Sequence, residues 1–452
     1  MRKETIKKLK DHSKKDFSYS LNETGDYRDT WRIFRIMAEF VEGYEFMNSL
    51  ENEVTVFGSA RFKEGEIYYD LARELGSLLA KNEFTTVTGG GPGIMEAANR
   101  GSFEAGGESA GLNIQLPFEQ RINPYVQKSI AFYYFFTRKV MMTSPAHAFV
   151  YFPGGFGTLD EFFEVVNSIE LGKMCDIPII LVGREYWEPI VEFLKSKCST
   201  FDQKKKVQID KWYIVNTPEE TINIINKQGT KSLECDLSPM NFHSGQKNID
   251  WKIFRIMAEL VSGFEFLTGL VEDVTVLGTR HMDQNNKFYK SAYKIGAMLA
   301  EDKYSVVTGG GIGISEAANK GAMEAGGQSL GVGLEVYGSS SMNSYVMKSI
   351  MFQFPFTRKL IITAPSKAFI FYPGGFGTLH HLFEVLTLIQ TGKMQRVPVI
   401  LLGREYWQPI HEVIKTIFVH KLETISDEDD ELYQIVDSEE STMQIINEFR
   451  SK

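Results

Sequence analysis

Apolar residues along this chain follow two rhythms, and the whole sequence of rhythms occurs twice. Trp31, Ile33, Phe34, Met37, Phe40, Val41 and Tyr44 fall at helical spacing and predict one apolar stripe on a helix over 31–47. Val54-Thr55-Val56-Phe57-Gly58-Ser59 reads as a buried strand running into a tight turn. A helix follows over about 67–80. Phe84-Thr85-Thr86-Val87-Thr88 is the next strand, broken by Gly89-Gly90-Gly91-Pro92-Gly93 before a helix opens at Ile94. Further strands are expected from Ala110 to Leu116, over Ala148-Phe149-Val150-Tyr151-Phe152, from Ile177 to Val182 and from Trp212 to Val215. A helix over about 159–171 follows the fourth of these six strands, and a last helix follows Thr217-Pro218. Short, nearly continuous apolar strands alternating with helices predict an α/β fold with a parallel sheet covered on both faces.

The second half repeats this order at one constant offset. Trp31 returns as Trp251, Gly58 as Gly278, Gly89-Gly90-Gly91 as Gly309-Gly310-Gly311 and Arg138 as Arg358. Pro153-Gly154-Gly155-Phe156-Gly157-Thr158-Leu159 returns as Pro373-Gly374-Gly375-Phe376-Gly377-Thr378-Leu379. One domain is written twice, so each copy is a control for the other. The expected boundaries are a charged lead-in at 1–29, a first domain at 30–226, a polar linker at 227–249 and a second domain at 250–452. The matching apolar helices predict that the two domains pack against each other as a pseudo-twofold pair, with further homo-oligomerisation left open.

A chain of 452 residues exceeds one ordinary core and suits two. Its net charge of -9 argues against a nucleic-acid backbone as partner. Cys175, Cys198 and Cys235 show no metal spacing and suggest a reducing compartment rather than a disulfide scaffold. No run reaches the length of a membrane span, and the polar Met-Arg-Lys-Glu start does not open a signal peptide. The expectation is a cytoplasmic protein with no membrane partner.

The two glycine turns lie at strand ends, where doubly wound sheets bind ligands. Glycine lets the backbone approach a ligand, and a helix start beyond it offers N–H groups to an anion. Gly154, Gly155, Gly157 and Thr158 are therefore a candidate phosphate cradle, and Gly89, Gly90 and Gly91 a candidate second wall, with Ser59 and Glu96 beside it. Tight-turn structure alone is the alternative. No Gly-Lys-Ser/Thr follows, so neither turn is a P-loop. Thr158-x-x-Glu161 also matches a capping box, which would make Glu161 a helix cap. Glu164 is a second carboxylate one turn on. Arg138, in Phe135-Phe136-Thr137-Arg138-Lys139, could clamp a phosphate or ribose or simply form an ion pair, with Lys139 alongside. His380 and His381 are adjacent on a helix and so do not share a face, which argues against a metal site there. No cofactor or metal is called for.

Gly89-Gly90-Gly91-Pro92-Gly93-Ile94-Met95-Glu96-Ala97, Thr137-Arg138-Lys139 and residues 153–161 together resemble the LOG family of cytokinin-activating phosphoribohydrolases, which often carry a lysine decarboxylase label. The resemblance covers most of both copies. It implies a Rossmann-like fold, usually dimeric, and hydrolysis of the N-glycosidic bond of a nucleoside 5'-monophosphate to free base and ribose 5-phosphate. It also implies that Arg138 and Glu161 carry catalysis, with AMP or a related purine or cytokinin monophosphate as the small-molecule substrate. A non-enzymatic nucleotide-binding regulator is the alternative. A pyridoxal phosphate decarboxylase would need a Schiff-base lysine, and no residue here identifies one. The second copy departs from the family pattern at one decisive place. Arg358, Gly374, Gly375, Gly377 and Thr378 remain, but His381 stands where Glu161 stands in the first. The second site is expected to bind a phosphate-bearing ligand weakly, or to serve as a structural partner, and not to hydrolyse.

Overall fold

The computed structural model describes residues 30–115, 122–143, 146–200, 208–232, 249–270, 272–336 and 342–451. The lead-in, residues 233–248 of the linker, and the loops at Leu116-Pro117-Phe118-Glu119-Gln120 and Tyr337-Gly338-Ser339-Ser340 lie outside these residues.

The first copy runs α1 (Thr30–Met47), β1 (Glu53–Phe57), α2 (Ile67–Lys81), β2 (Thr85–Thr88), α3 (Ile94–Glu104), β3 (Ser109–Ile114), β4 (Lys128–Phe132), α4 (Phe135–Met142), β5 (Ala148–Tyr151), α5 (Phe156–Glu170), β6 (Ile179–Val182), α6 (Arg184–Phe193), β7 (Tyr213–Val215) and α7 (Pro218–Ser232). The second runs α8 (Ile249–Leu267), β8 (Asp273–Leu277), α9 (Lys287–Glu301), β9 (Ser305–Thr308), α10 (Ile314–Glu324), β10 (Ser329–Leu334), β11 (Lys348–Phe352), α11 (Pro355–Thr363), β12 (Ser366–Phe371), α12 (Phe376–Gln390), β13 (Val399–Leu402), α13 (Arg404–Val413), β14 (Gln434–Val436) and α14 (Glu439–Arg450).

Each copy forms a seven-stranded sheet, in the order β4-β3-β2-β1-β5-β6-β7 and β11-β10-β9-β8-β12-β13-β14. The pairings are parallel, for example β1 with β5 from Val54↔Ala148 to Phe57↔Tyr151. The chain thus has two parallel α/β units. The strand order reverses beside β1, and the glycine turns after β2 and β5 lie at the carboxyl ends there, where such sheets open a crevice.

Sequence reading found six strands per copy; the seventh is β4. Lys128-Ser129-Ile130-Ala131-Phe132 lies at the sheet edge, where only Phe132 is buried. Edge strands lack the apolar run that marks buried ones. The stripe on the first helix also needs correction. Ile36, Phe40, Tyr44 and Met47 are buried, whereas Phe34 and Val41 are exposed, as are their counterparts Phe254 and Val261 and the exposed Trp251. The 36/40/44/47 row lies at the centre of the packed face, with Ile33 and Met37 partly buried against the core. Of the cysteines, Cys198 is free and buried, and Cys235 lies outside the described residues.

One continuous apolar core contains residues of both copies. Equivalent elements face each other within it. Phe163 of α5 stacks on Phe383 of α12 with ring centroids 5.4 Å apart and planes 2° from parallel. Phe136 of α4 stacks on Phe356 of α11 at 6.3 Å, and Phe40 of α1 also meets Phe356 at 5.5 Å. Among the described residues no helix is long and apolar enough to cross a membrane.

Candidate functional site

Backbone geometry shapes the crevice first. Gly93 has φ +70°, and a Cβ on it would sit 2.4 Å from the Ser59 carbonyl oxygen. That position tolerates only glycine, and it lets the Ile94 N–H bond the same carbonyl at 3.0 Å. The Ser59 hydroxyl accepts the Arg61 N–H at 3.1 Å and so shapes its own turn. Gly90 N–H donates to the Thr88 hydroxyl at 2.9 Å. On the other side of the crevice, the Tyr186 hydroxyl donates to the Gly154 carbonyl at 2.7 Å and pins the second turn.

α5 begins at Phe156 with Gly155 as its N-cap, and no side chain caps it. The capping-box reading of Thr158 and Glu161 is therefore wrong. Thr158 is already inside the helix, its N–H bonded to the Gly155 carbonyl at 3.1 Å. Its hydroxyl folds back beneath Gly154. Glu161 stands in the second turn, where no orphan N–H needs it. An uncapped helix start behind a double glycine suits an anion.

Arg138 is aimed by a residue that sequence reading missed. Glu39 of α1 accepts the Tyr133 N–H at 2.7 Å, the Tyr134 N–H at 3.3 Å and the Thr137 hydroxyl. It thereby ties α1 to the chain entering α4, the helix that carries Arg138. The half-buried guanidinium donates through Nε to the Leu112 carbonyl at 2.7 Å. Its Nη2 lies so close over Gly89 that a Cβ there would be 2.3 Å away. Burial lowers the Arg138 pKa, and the charges of Glu161 and Asp160 oppose that shift.

Glu161 is 6% exposed, and its Oε2 has no hydrogen-bond partner among the described residues. Burial raises its pKa; Lys139 and Arg138 pull it down, and Glu164 pushes it up. A buried carboxylate oxygen left open beside an arginine is poised for a ligand. Asn113 of β3 is 4% exposed, and neither its Oδ1 nor its Nδ2 has a partner. Its Oδ1 lies against Gly90, where a Cβ would be 2.4 Å away. Sequence reading missed this amide. The signal was present, since a polar residue interrupts an apolar strand and becomes Gly333 in the other copy.

Lys139 and Glu164 belong to one buried ion-pair cluster. Lys139 is 2% exposed and pairs with Asp160, with Glu164 at 3.6 Å. Burial alone would lower its pKa, but Asp160, Glu164, Glu384 and Glu161 outweigh that and drive it up. The cluster continues into the second copy. His380 Nε2 lies 3.8 Å from Asp160 Oδ1, and Lys359 pairs with Glu384 at 3.0 Å. Glu96, in the first turn of α3, accepts the Tyr69 hydroxyl at 3.3 Å.

The second copy also walls the first site. A Cβ on Gly155 would meet Ile425 Cγ2 at 2.8 Å and the Thr424 carbonyl oxygen at 3.0 Å. Arg61 reaches the Glu423 carbonyl at 3.4 Å and Asp429 at 3.6 Å. Lys393 donates to the carbonyls of Gln115 at 2.8 Å and Tyr133 at 3.2 Å.

In the second crevice Arg358 donates through Nε to the Val332 carbonyl at 2.8 Å. Glu259 of α8 accepts the Gln353 N–H at 2.6 Å, in the chain entering that arginine's helix. Gly374, Gly375, Gly377 and Thr378 repeat the first turn, with Gly375 as an uncapped N-cap. His381 Nε2 lies 3.3 Å from Arg358 Nη1. Burial, then Arg358 and the lysines, holds the His381 pKa well below the ordinary range, so the ring is neutral.

The family described as possible lysine decarboxylase matches residues 95–225 and again 315–446, more than half of the chain. The chain belongs to this family, the LOG family, in two tandem copies. Similar proteins include a cytokinin riboside 5'-monophosphate phosphoribohydrolase of Rhodococcoides fascians, 28% identical over 145 residues, which are 31% of this chain and 73% of that protein. An Arabidopsis thaliana protein of the same description is 29% identical over 153 residues, 33% of this chain and 67% of that one. The chain is also similar to the solved structure of the molybdenum cofactor binding protein from Rippkaea orientalis, at 19% identity and a TM-score of 0.31, covering 40% of this chain and 98% of that one. Both family matches begin just inside the helix after the first glycine turn and run past the second turn, so each includes its copy's arginine and second glycine turn.

Proposed function

We propose that the first copy hydrolyses the N-glycosidic bond of a nucleoside 5'-monophosphate of purine or cytokinin type, releasing free base and ribose 5-phosphate. The single observation that carries this reading is the buried Glu161 carboxylate, with an unpartnered oxygen, in the electrostatic reach of Arg138 and on the helix whose uncapped start is at Gly155. Bond cleavage builds positive charge on the ribose, and an adjacent carboxylate stabilises it and orients water. Arg138 fixes the sugar phosphate. Residues 154–158 grip the 5'-phosphate and supply binding energy for orientation at the glycosidic carbon. Asn113 reads a hydroxyl or base edge with its unpaired amide. The descriptions of the phosphoribohydrolase relatives support the same reaction class. Lysine decarboxylation finds no support in Lys139. A Schiff-base lysine needs a lowered pKa, and the carboxylates around this one raise it.

The test is a panel of nucleoside monophosphates with base release followed by chromatography. AMP or a related monophosphate should release base, and the unphosphorylated nucleoside should react poorly. Glu161→Gln should lower turnover by about 10²–10⁴-fold with substrate binding largely kept. Because the Glu161 pKa is raised, activity that needs its ionised form should fall on acidification before an ordinary carboxylate would protonate. Full activity in the variant refutes the role given to Glu161. No base release from any monophosphate refutes the reaction.

A further inference from the structure

The long helix in front of each sheet is apolar on two sides, and the core uses only one. α1 turns Ile36, Phe40, Tyr44 and Met47 into the core, and α8 turns Ile253, Ile256, Leu260 and Phe264 into it. On the outer side of α8, Trp251 is 73% exposed, Phe254 63% and Val261 42%, with exposed Ala258 among them. The α1 counterparts Phe34, Ala38 and Val41 are exposed too. Residues 251, 254, 258 and 261 are three, four and three apart, the spacing of a seam between two helices. A helix with water on one side carries one apolar face, whereas a helix apolar on two sides is covered on both. A single exposed apolar residue needs no explanation, but a row repeated at the same positions of both copies does. α1 and α8 also touch each other, so the two rows lie on adjoining helices.

Charge along the row identifies what covers it. Exposed Arg35 and Arg255 flank it towards the helix N-termini, and exposed Glu42, Glu45 and Glu265 flank it towards the C-termini. Each outer face is thus basic at one end and acidic at the other. The same helices from another chain, laid antiparallel, set arginine against glutamate at both ends. Ala38 and Ala258 then fall near the middle, where small side chains let two backbones approach. A parallel arrangement would set like charges together. Antiparallel self-complementarity is what a twofold contact between identical chains requires. An anionic membrane surface suits the row poorly, because its C-terminal end is acidic.

We propose that the outer face of α1 and α8 is the docking surface for a second copy of this chain, joined about a twofold axis with its helices antiparallel to those of the first. This contact is separate from the apolar core that joins the two halves of one chain, and it does not depend on the reaction proposed above.

Sedimentation velocity on the full chain, over a range of concentrations, tests this. The wild-type protein should sediment as two chains. Trp251→Ser combined with Phe254→Ser should raise the dissociation constant by about 100-fold or more. A charge exchange tests the antiparallel arrangement without removing apolar surface. One variant carries Arg35→Glu and Arg255→Glu; another carries Glu42→Lys, Glu45→Lys and Glu265→Lys. Each should sediment as a single chain by itself, and a one-to-one mixture should regain the two-chain species. A far-ultraviolet spectrum like that of wild type shows that each variant is folded. Wild-type chains that stay single overturn the proposal, and pairing that appears only once residues 1–29 are removed gives the row to the lead-in instead. Pairing that survives the folded Trp251 and Phe254 double variant overturns it as well, as do charge variants that pair alone or fail to pair when mixed. Single chains that bind vesicles of phosphatidylglycerol and phosphatidylcholine make the row a membrane face and likewise overturn it.

Discussion

Two crevices built on the same backbone differ mainly in charge. Both have an arginine bonded to a strand carbonyl, a glutamate of the preceding long helix bonded to the chain entering the arginine's helix, and an uncapped glycine turn. Only the first has a carboxylate at the second turn of that helix; the second has a buried, neutral histidine. The shared centre explains why the copies tolerate this divergence. Asp160 and His380 approach to 3.8 Å where α5 packs on α12. Two aspartates there would set carboxylate against carboxylate in a dry site, which is costly. A neutral histidine removes that conflict while Lys359 keeps Glu384. Duplication within one chain thus allows two halves to specialise, which an identical pair could not do.

The sharpest way to break the comparison is to give the first copy the second copy's residue. Glu161→His should reduce base release by about 10²–10⁴-fold, the range for a positioned acid–base group. It should also tighten ribose 5-phosphate at the first site, since the repelling carboxylate is gone. A variant that still turns over would mean that the charge difference is not what separates the copies.

The shared core gives the next largest effect. Phe383→Ala should cost about 3 kcal/mol of unfolding free energy, because it empties one side of the Phe163 stack. Phe163→Ala should cost a similar amount, read by urea denaturation. If only one of the two destabilised the protein, the stack would not be a joint feature of both copies.

Asn113→Leu tests the other polar difference. Its amide has no partner to lose in the free protein, so stability should hold while KM for the nucleoside monophosphate rises by about 10-fold. An unchanged KM would remove Asn113 from substrate recognition.

A smaller effect should be the same in both copies. Burial pushes Glu53, at the start of β1, and its counterpart Asp273, at the start of β8, up to about 7. Each folded pKa lies above its unfolded value, so folding favours the protonated acid. The penalty is absent below the unfolded pKa and complete once the pH passes the folded one. Glu53→Gln and Asp273→Asn should therefore each stabilise the protein at pH 8 and do almost nothing at pH 4. Thermal unfolding at the two values checks this, and equal stabilisation at both would contradict the assigned cause.

Much of the site was legible because glycine turns, strand ends and the Arg-Lys and Thr-x-x-Glu patterns are local in sequence. What escaped was of two kinds. β4 escaped because an edge strand has few buried residues to mark it. Asn113 and Glu39 escaped because one polar side chain in an apolar element looks the same whether it points at solvent, at a helix start or at a ligand. The Thr158 and Glu161 spacing was misleading for a related reason: a capping box is defined by where the helix begins, and α5 begins two residues before Thr158.

The sequence alone determined the parallel α/β units, their duplication, the glycine turns and the loss of the carboxylate at His381. Each is carried by short-range periodicity or by comparing one half with the other. Tertiary structure alone decided that Lys139 is spent on Asp160 and Glu164, that Glu39 orients Arg138, and that Thr424 and Ile425 wall the first copy's phosphate turn. Those partners are brought together by packing of elements far apart along the chain, and no local pattern encodes which charge will face which in the dry interior between two sheets.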